Sequence, residues 1–341
     1  MLARIVAQPL LGFALCASSC ALLLWVMLRS RLAWRVAIDA PNARSLHTRP
    51  TPRVGGVALT PVCVVWAWAE HLLPAPVLGA TAVLAAISFI DDRHHVPAGL
   101  RLAIQLGCAA SVILLPGLPV IGPVPAIAEL AIVILALVWM ANLYNFMDGS
   151  DGLAGAMALI GFGAYAVAAA RAGDAALAAA AAGCSGAAAG FLCFNWPPAR
   201  LFLGDMGSVP LGFLAGAIGL LGWQHGTWGW WFPVLVFVPF IADASLTLLA
   251  RLMRRERVWQ AHREHTYQRM VAHGHGGHGH RGTLLRWVGL MVAAAGSALW
   301  LLGQQDAVVA LVLGGWTVVL IVGFVAGKRA WPRAGVDNPR G

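Results

Sequence analysis

The 341-residue chain is 60% hydrophobic and only 11% charged, with a mean hydropathy of +0.76. Soluble domains carry about 25% charged residues, so this composition excludes a soluble fold and implies a polytopic membrane protein. The formal charge of +9 raises nucleic acid as a partner, but its placement along the chain speaks for membrane topology instead.

Uncharged runs near span length predict an all-α polytopic protein with about eleven transmembrane helices. They fall roughly at 8–28, 55–73, 75–91, 101–117, 124–143, 152–171, 175–194, 206–223, 230–250, 283–303 and 306–327. The first run, Pro9 to Leu28, is too long for a signal-peptide core and lacks a clear cleavage site, so it reads as a retained helix. With the N-terminus outside and the C-terminus cytoplasmic, all but Arg4 and Arg171 of the 23 Lys and Arg residues fall on the cytoplasmic side. The chain then reads as one membrane-embedded domain, 1–341, with cytoplasmic loops at 29–54, 91–101, 144–152, 195–206 and 251–282 and a basic tail at 328–341. Its six cysteines lack metal-ligand spacing and read as small buried hydrophobes. Trp66, Trp68, Trp223, Trp228, Trp230 and Trp231 read as an aromatic belt at the outer interface. The run AALAAAAAGCSGAAAG predicts a closely packed helix.

Five carboxylates stand at helix mouths on the cytoplasmic side: Asp91, Asp92, Asp148, Asp151 and Asp205. Ionisable groups beside a bilayer are costly and point to a functional site, and clustered carboxylates call for a cation. In chain order, DAPNARSLHTRPTPRVGG comes first. Its Arg44, His47 and Arg53, amid prolines and glycines, suit contact with a phosphate or headgroup. Asp91 and Asp92 close the third span, one placed to accept a proton from a phosphate nucleophile and the other to orient the site. In ANLYNFMDGSDGLAG, Asn142 and Asn145 share a helix face, and Asp148, Gly149, Asp151 and Gly152 form the turn into the next span. Their oxygens are what Mg²⁺ prefers, and the following helix N-terminus offers free N–H groups to an anion.

FNWPPARLFLGDMGS repeats the theme, with Asn195, Arg200 and Asp205 around a proline bend, and Asp205 reads as a metal ligand. Asp243, inside the ninth span, reads as a structural hydrogen-bonding group. In the last loop His262 and His265 would share a helical face, while His273, His275, His278 and His280 lie in a glycine-rich run read as a flexible loop.

Together these segments resemble the bacterial polyprenyl-phosphate N-acetylhexosamine-1-phosphate transferases, over the whole chain and in the same order. NLYNFMDGSDG, FNWPPAR and VWQAHREHTYQR look most like the branch that initiates O-antigen or related glycans. The resemblance implies transfer of a sugar-1-phosphate from a UDP-N-acetylhexosamine to undecaprenyl phosphate at the bacterial inner membrane, with release of UMP. It implies Mg²⁺ as cofactor, with Mn²⁺ as an alternative, and membrane lipids but no nucleic acid as further partners, with room for a homodimer. By motif position Asp91 and Asp92 would be the catalytic pair, and Asn145 and Asp205 the metal ligands. Asp148, Gly149, Asp151, Gly152 and Asn195 would line the nucleotide-sugar side. Many members carry H-x-H-H in the last loop. Here Thr266, Tyr267 and Gln268 follow His265, so His262 and His265 would fill that role. Two other classes fit the sequence less well. CDP-alcohol phosphotransferases need an Ala-Arg pair and further aspartates that do not follow DGSDGLAG. A metal transporter would place its polar groups near the bilayer midplane.

Overall fold

The computed structural model describes residues 2–41, 46–94, 96–113, 125–257, 262–274 and 279–331, without the side chains of 2–7 and 126. Arg44, His95, His275, His278 and the tail beyond Trp331 therefore lie outside the described residues. The chain runs through α1 (Leu2–Arg29), α2 (Ala33–Val36), α3 (Gly55–Ala69), α4 (Ala75–Asp91), α5 (Ala98–Ile113), α6 (Ala126–Phe146) and α7 (Leu153–Ala172). It continues through α8 (Ala175–Asn195), α9 (Asp205–Gln224), α10 (Trp231–Val236), α11 (Val238–Met253), α12 (Thr266–His273), α13 (Gly279–Leu301) and α14 (Asp306–Ala330). Among the described residues seven helices are long and apolar enough to cross a membrane: α1, α6, α7, α8, α9, α13 and α14. Helices α3, α4 and α5 are apolar but shorter.

Two features depart from the expected pattern of unbroken spans and plain loops. The run at 230–250 is not one helix. It breaks at Phe237 into α10 and α11, because Pro239 has no N–H to donate and its ring crowds the preceding turn. The first loop is not wholly irregular either. Residues β1 (Ile38–Asp39) and β2 (Thr51–Pro52) pair antiparallel, and Arg53 bridges to Phe202. That bridge, with Phe202 N donating to the Pro52 carbonyl at 2.8 Å, ties the first loop to the segment that leads into α9.

Small residues build the core. Helix α8 is buried along nearly its whole length, and α1 lies against it so closely that Gly186 faces the Phe13 carbonyl and Gly190 the Ala17 carbonyl. In lipid, where apolar area gives little drive to helix association, such backbone approach supplies the packing. Two tryptophans of the expected belt lie within the bundle. Trp66 donates to the Ala179 carbonyl at 3.0 Å, and Trp228 stacks on Tyr165 with centroids 5.0 Å apart. Helix α14 is the opposite case, with only Val309 and Gly327 buried. Contacts between Arg53 and both Asp92 and Asp205, between Phe146 and Tyr267, and between Leu46 and His280 gather all five motif loops at one end of the bundle.

Candidate active site

Helix α4 ends in two carboxylates that diverge because successive helical side chains stand about 100° apart. Asp91 turns toward α5, accepting from the Val96 N–H at 3.0 Å and pairing with Arg101. Asp92 turns toward the first turn of α9. Its oxygens lie 3.4 Å from the Asp205 N–H and 3.2 Å from the Met206 N–H, donors that a helix N-terminus leaves free. Gly204 makes this approach feasible. Its φ of +78° disfavours any side chain, and a Cβ there would meet Arg53 and the Asp92 carboxylate.

Arg53 joins the two acidic mouths. Its Nη1 lies 3.5 Å from Asp92 Oδ1 and its Nη2 2.5 Å from Asp205 Oδ1. The backbone around it is held by Arg53 N donating to the Ala37 carbonyl and Gly55 N to the Phe202 carbonyl, at 3.0 and 2.8 Å. The other Asp205 oxygen faces Asn145 Nδ2 at 3.4 Å and Arg101 Nη1 at 3.9 Å. Asn145 Oδ1 in turn accepts from Ser208 Oγ at 3.0 Å, so α6 and α9 meet through polar groups here. Asn142 does not join the site. It exchanges hydrogen bonds with Gln105 of α5.

The electrostatics match this crowding. Burial pushes the Asp92 carboxyl up to about 6, with Arg53 opposing and the Asp205 charge adding to the rise. Burial also holds Asp148 well above the usual carboxylate range, Arg53 again opposing, with Asp205 and Asp92 adding to it. Asp148 thus belongs electrostatically to the Asp92–Asp205 group as well as to the turn that follows. Among the described residues, no three His, Cys, Asp or Glu side chains converge closely enough to hold an ion by themselves.

The turn between α6 and α7 is pinned on several sides. Asn195 uses both ends of its amide, accepting from Gly152 N at 2.8 Å and donating to the Leu201 carbonyl at 2.9 Å. Asp151 accepts from Ala199 N at 3.0 Å, and Tyr267 donates to the Phe146 carbonyl at 2.8 Å. Asn195 and Asp151 therefore shape the wall of a cavity of about 80 Å³ that Asp39, His47, Arg53, Asp148 and His280 also line. His47 Nε2 is buried there without a hydrogen-bond partner, and its ring meets Phe202 edge-on.

The last-loop histidines do come together, with ring centroids 4.9 Å apart, but not on a shared helix face. His262 lies in the segment before α12, and His265 is the N-cap of that helix. Asp243 accepts from Thr266 N at 2.9 Å and lies 3.3 Å from His265 Nδ1, so it anchors this helix start as a structural group. Glu264 binds Arg251 and Arg254 beside it. Among the described residues, no hydrogen bond or ion pair links His262 or His265 to Asp91, Asp92 or Asp205. Burial lowers His262 to about 4, with His265 and Arg251 adding to the effect, which keeps it neutral.

Comparison with known proteins gives this geometry its context. Residues 75–222 match the model of glycosyl transferase family 4. The chain is 30% identical over 332 residues to the decaprenyl-phosphate N-acetylglucosaminephosphotransferase of Mycobacterium tuberculosis (strain ATCC 25618 / H37Rv), covering 84% of this chain and 80% of that one. It is 26% identical over 261 residues to a Bacillus subtilis (strain 168) protein named "Probable undecaprenyl-phosphate N-acetylglucosaminyl 1-phosphate transferase", covering 72% of each. It is 29% identical over 225 residues to the phospho-N-acetylmuramoyl-pentapeptide-transferase of Lacticaseibacillus paracasei, covering 58% of this chain and 68% of the relative. The chain belongs to the polyprenyl-phosphate N-acetylhexosamine-1-phosphate transferases. It is a polytopic membrane member of this phosphoglycosyl transferase family.

Sequence reasoning missed two residues of the transferase's polar end. Arg101 sits three residues into α5, and only the fold sets it against Asp91 and near Asp205. His280 was hidden in a glycine-rich histidine run without ligand spacing, and it stands in the cavity wall. The one available signal for Arg101 was a cation ten residues after an acidic pair at a helix mouth.

Proposed function

We propose that this chain transfers an N-acetylhexosamine-1-phosphate from a UDP-sugar to undecaprenyl phosphate, giving undecaprenyl-pyrophosphoryl-sugar and UMP. The observation that carries the reading is the meeting of Asp92 and Asp205 across Arg53 at the N-terminus of α9, beside Asn145 and Asp148. Positive-inside placement of Arg and Lys supports a site on the cytoplasmic face of the bacterial inner membrane. The step would initiate synthesis of an O-antigen or another cell-envelope glycan.

In the reaction, an oxygen of the lipid phosphate attacks the sugar-bearing phosphorus of the UDP-sugar. A new P–O bond forms as the bond to the bridging oxygen breaks, and UMP leaves with that oxygen. One pyrophosphate linkage replaces another, so no further energy source is needed. A phosphate monoester, with a second pKa of about 6, is a competent nucleophile at neutral pH. Asp92, pushed up to about 6, is matched to accept its remaining proton. Asp91 holds Arg101 near Asp205 and so orients the site. Arg53 neutralises developing charge on the phosphates, and the partnerless His47 Nε2 offers a further contact. Arg44 of the same loop would add charge to this phosphate site.

The donor chemistry fits Mg²⁺, with Mn²⁺ as an alternative: hard carboxylate oxygens crowd together until burial and mutual repulsion raise their proton affinity. Asp205 with Asn145 would hold the ion, with Asp92 and Asp148 close by and with waters and substrate phosphates completing its shell, as is usual for Mg²⁺. When bound, it would supply charge neutralisation to the phosphates. Gly149 and Gly152 frame the turn that faces the sugar nucleotide, held in shape by Asp151 and Asn195. His262 and His265 would act from the α12 side. To test the reading, membranes holding the protein are incubated with radiolabelled UDP-N-acetylhexosamines and undecaprenyl phosphate, with and without Mg²⁺. Labelled lipid and equimolar UMP that require the metal support it; their absence with every sugar overturns it.

A further inference from the structure

His280 is the residue whose placement the function above leaves unexplained. It stands in the first turn of α13, yet its ring touches two loops remote in sequence. Asp151 N donates to Nδ1 at 3.2 Å, and Ser150 Oγ lies 3.1 Å from the same nitrogen. Nε2 lies 3.3 Å from the Leu46 carbonyl.

Asp151 Oδ1 lies 3.5 Å from the same Nδ1, and the other contacts suit a ring that accepts at Nδ1 and donates at Nε2. A carbonyl oxygen only accepts, which suits a hydrogen on Nε2. An amide N–H only donates, which suits a lone pair on Nδ1. The imidazole is a two-ended bridge, half-buried between the first loop and the Asp148–Gly152 turn. The same turn is held from the opposite side by Asn195 on Gly152 N and by Ala199 N on Asp151. His280 supplies the remaining constraint, on the backbone between the Asp148 carboxylate and α7. It also closes the cavity against Leu46 and His47.

We infer that His280 is a positioning residue for the sugar nucleotide, acting through the Asp151 N–H to set the turn that carries Asp148. The inference rests on the proposed transfer reaction. It predicts a separation between the two substrates. The turn and cavity lie beside the sugar-nucleotide side, so their disturbance reads out in KM for the nucleotide rather than for the lipid.

The test measures kcat and both KM values with UDP-N-acetylglucosamine, or another UDP-N-acetylhexosamine that wild type accepts, and undecaprenyl phosphate. Wild type is compared with His280→Ala, His280→Asn and His280→Gln in membranes, alongside thermal unfolding in detergent. Loss of one tightly placed hydrogen-bonded bridge should raise the nucleotide KM of His280→Ala about tenfold, with the lipid KM within about twofold. His280→Asn, whose side-chain oxygen can replace Nδ1 as acceptor, should restore most of that loss. His280→Gln, which reaches past the Asp151 N–H, should not. Should the alanine variant fail to accumulate, the Asn and Gln pair decides the question by itself. Equal nucleotide KM values in Asn and Gln variants, or parallel changes in both substrates' KM values, would overturn the inference while leaving the reaction intact. A wild type that turns over no UDP-sugar overturns the functional reading and this inference with it.

Discussion

At the mouth formed by α4, α5 and α9, carboxylates outnumber what neutralises them; around α11 and α12, they do not. Asp92, Asp205 and Asp148 share Arg53, and burial with mutual repulsion raises two of the three toward protonation. Around α12, Asp243 receives the Thr266 N–H and faces His265, while Glu264 has Arg251 and Arg254. Under the proposed reaction the first cluster gains from a cation and phosphate substrates; the second is already closed on itself. Both cost free energy to desolvate. The first alone, of these two clusters, leaves several carboxylates sharing one arginine, which under the proposed reaction separates reacting groups from the frame that holds them.

That contrast can be broken most directly at Asp205. Asp205→Asn keeps the shape but removes a charge at the α9 N-terminus, and turnover should fall roughly 10³-fold with little change in unfolding temperature. Asp92→Asn retains an acceptor for Met206 N, so a smaller loss of about 10²-fold is expected, read as kcat with KM nearly constant.

The closed cluster should answer in stability instead. Asp243→Ala leaves the Thr266 N–H at the α12 start without its charged acceptor and should cost about 1.5–3 kcal/mol, measured by unfolding in detergent. Activity per folded molecule should stay within about tenfold of wild type, since among the described residues Asp243 meets the proposed site through His265, a ring without a bond to Asp92 or Asp205.

The smallest effect concerns pH. His262 sits near 4 when folded and about 6.5 when unfolded, so between those values the unfolded chain binds more protons. Its contribution to stability is therefore lost as pH falls from 6.5 toward 4. Asp92 works in the opposite sense: raised to about 6, it favours the folded state at low pH and loses that contribution as pH rises from about 4 to 6. His262→Gln should flatten the acid side of the unfolding-temperature profile, while Asp92→Asn should steepen it. Identical profiles for wild type and both variants would remove the distinction between these environments.

Much of this was legible beforehand because helix mouths in an apolar chain are marked by charge. The five aspartates, the basic first loop and the close-packed alanine helix could each be read locally. What escaped depended on contacts across the chain. Asn142 and Asn145 share a face in sequence, but neighbours decide their fates: Gln105 takes one and Asp205 faces the other. The break at Phe237 had a local sign in Pro239, hidden by the even hydrophobicity around it. The strand pair is two residues long on each side, below what periodicity can detect. Arg101 and His280 gain their meaning only when α5 and α13 pack beside the acidic mouths.

The central claim is that Asp205 and Asp92 form the reacting centre around Arg53. Its most direct test is turnover of Asp205→Asn and Asp243→Asn side by side, in membranes supplied with undecaprenyl phosphate and a UDP-sugar that wild type accepts, each normalised to folded protein. The account predicts loss of lipid product in the first, by roughly 10³-fold, and retention of most activity in the second. Near-normal turnover by Asp205→Asn, or equal loss in both, would contradict it.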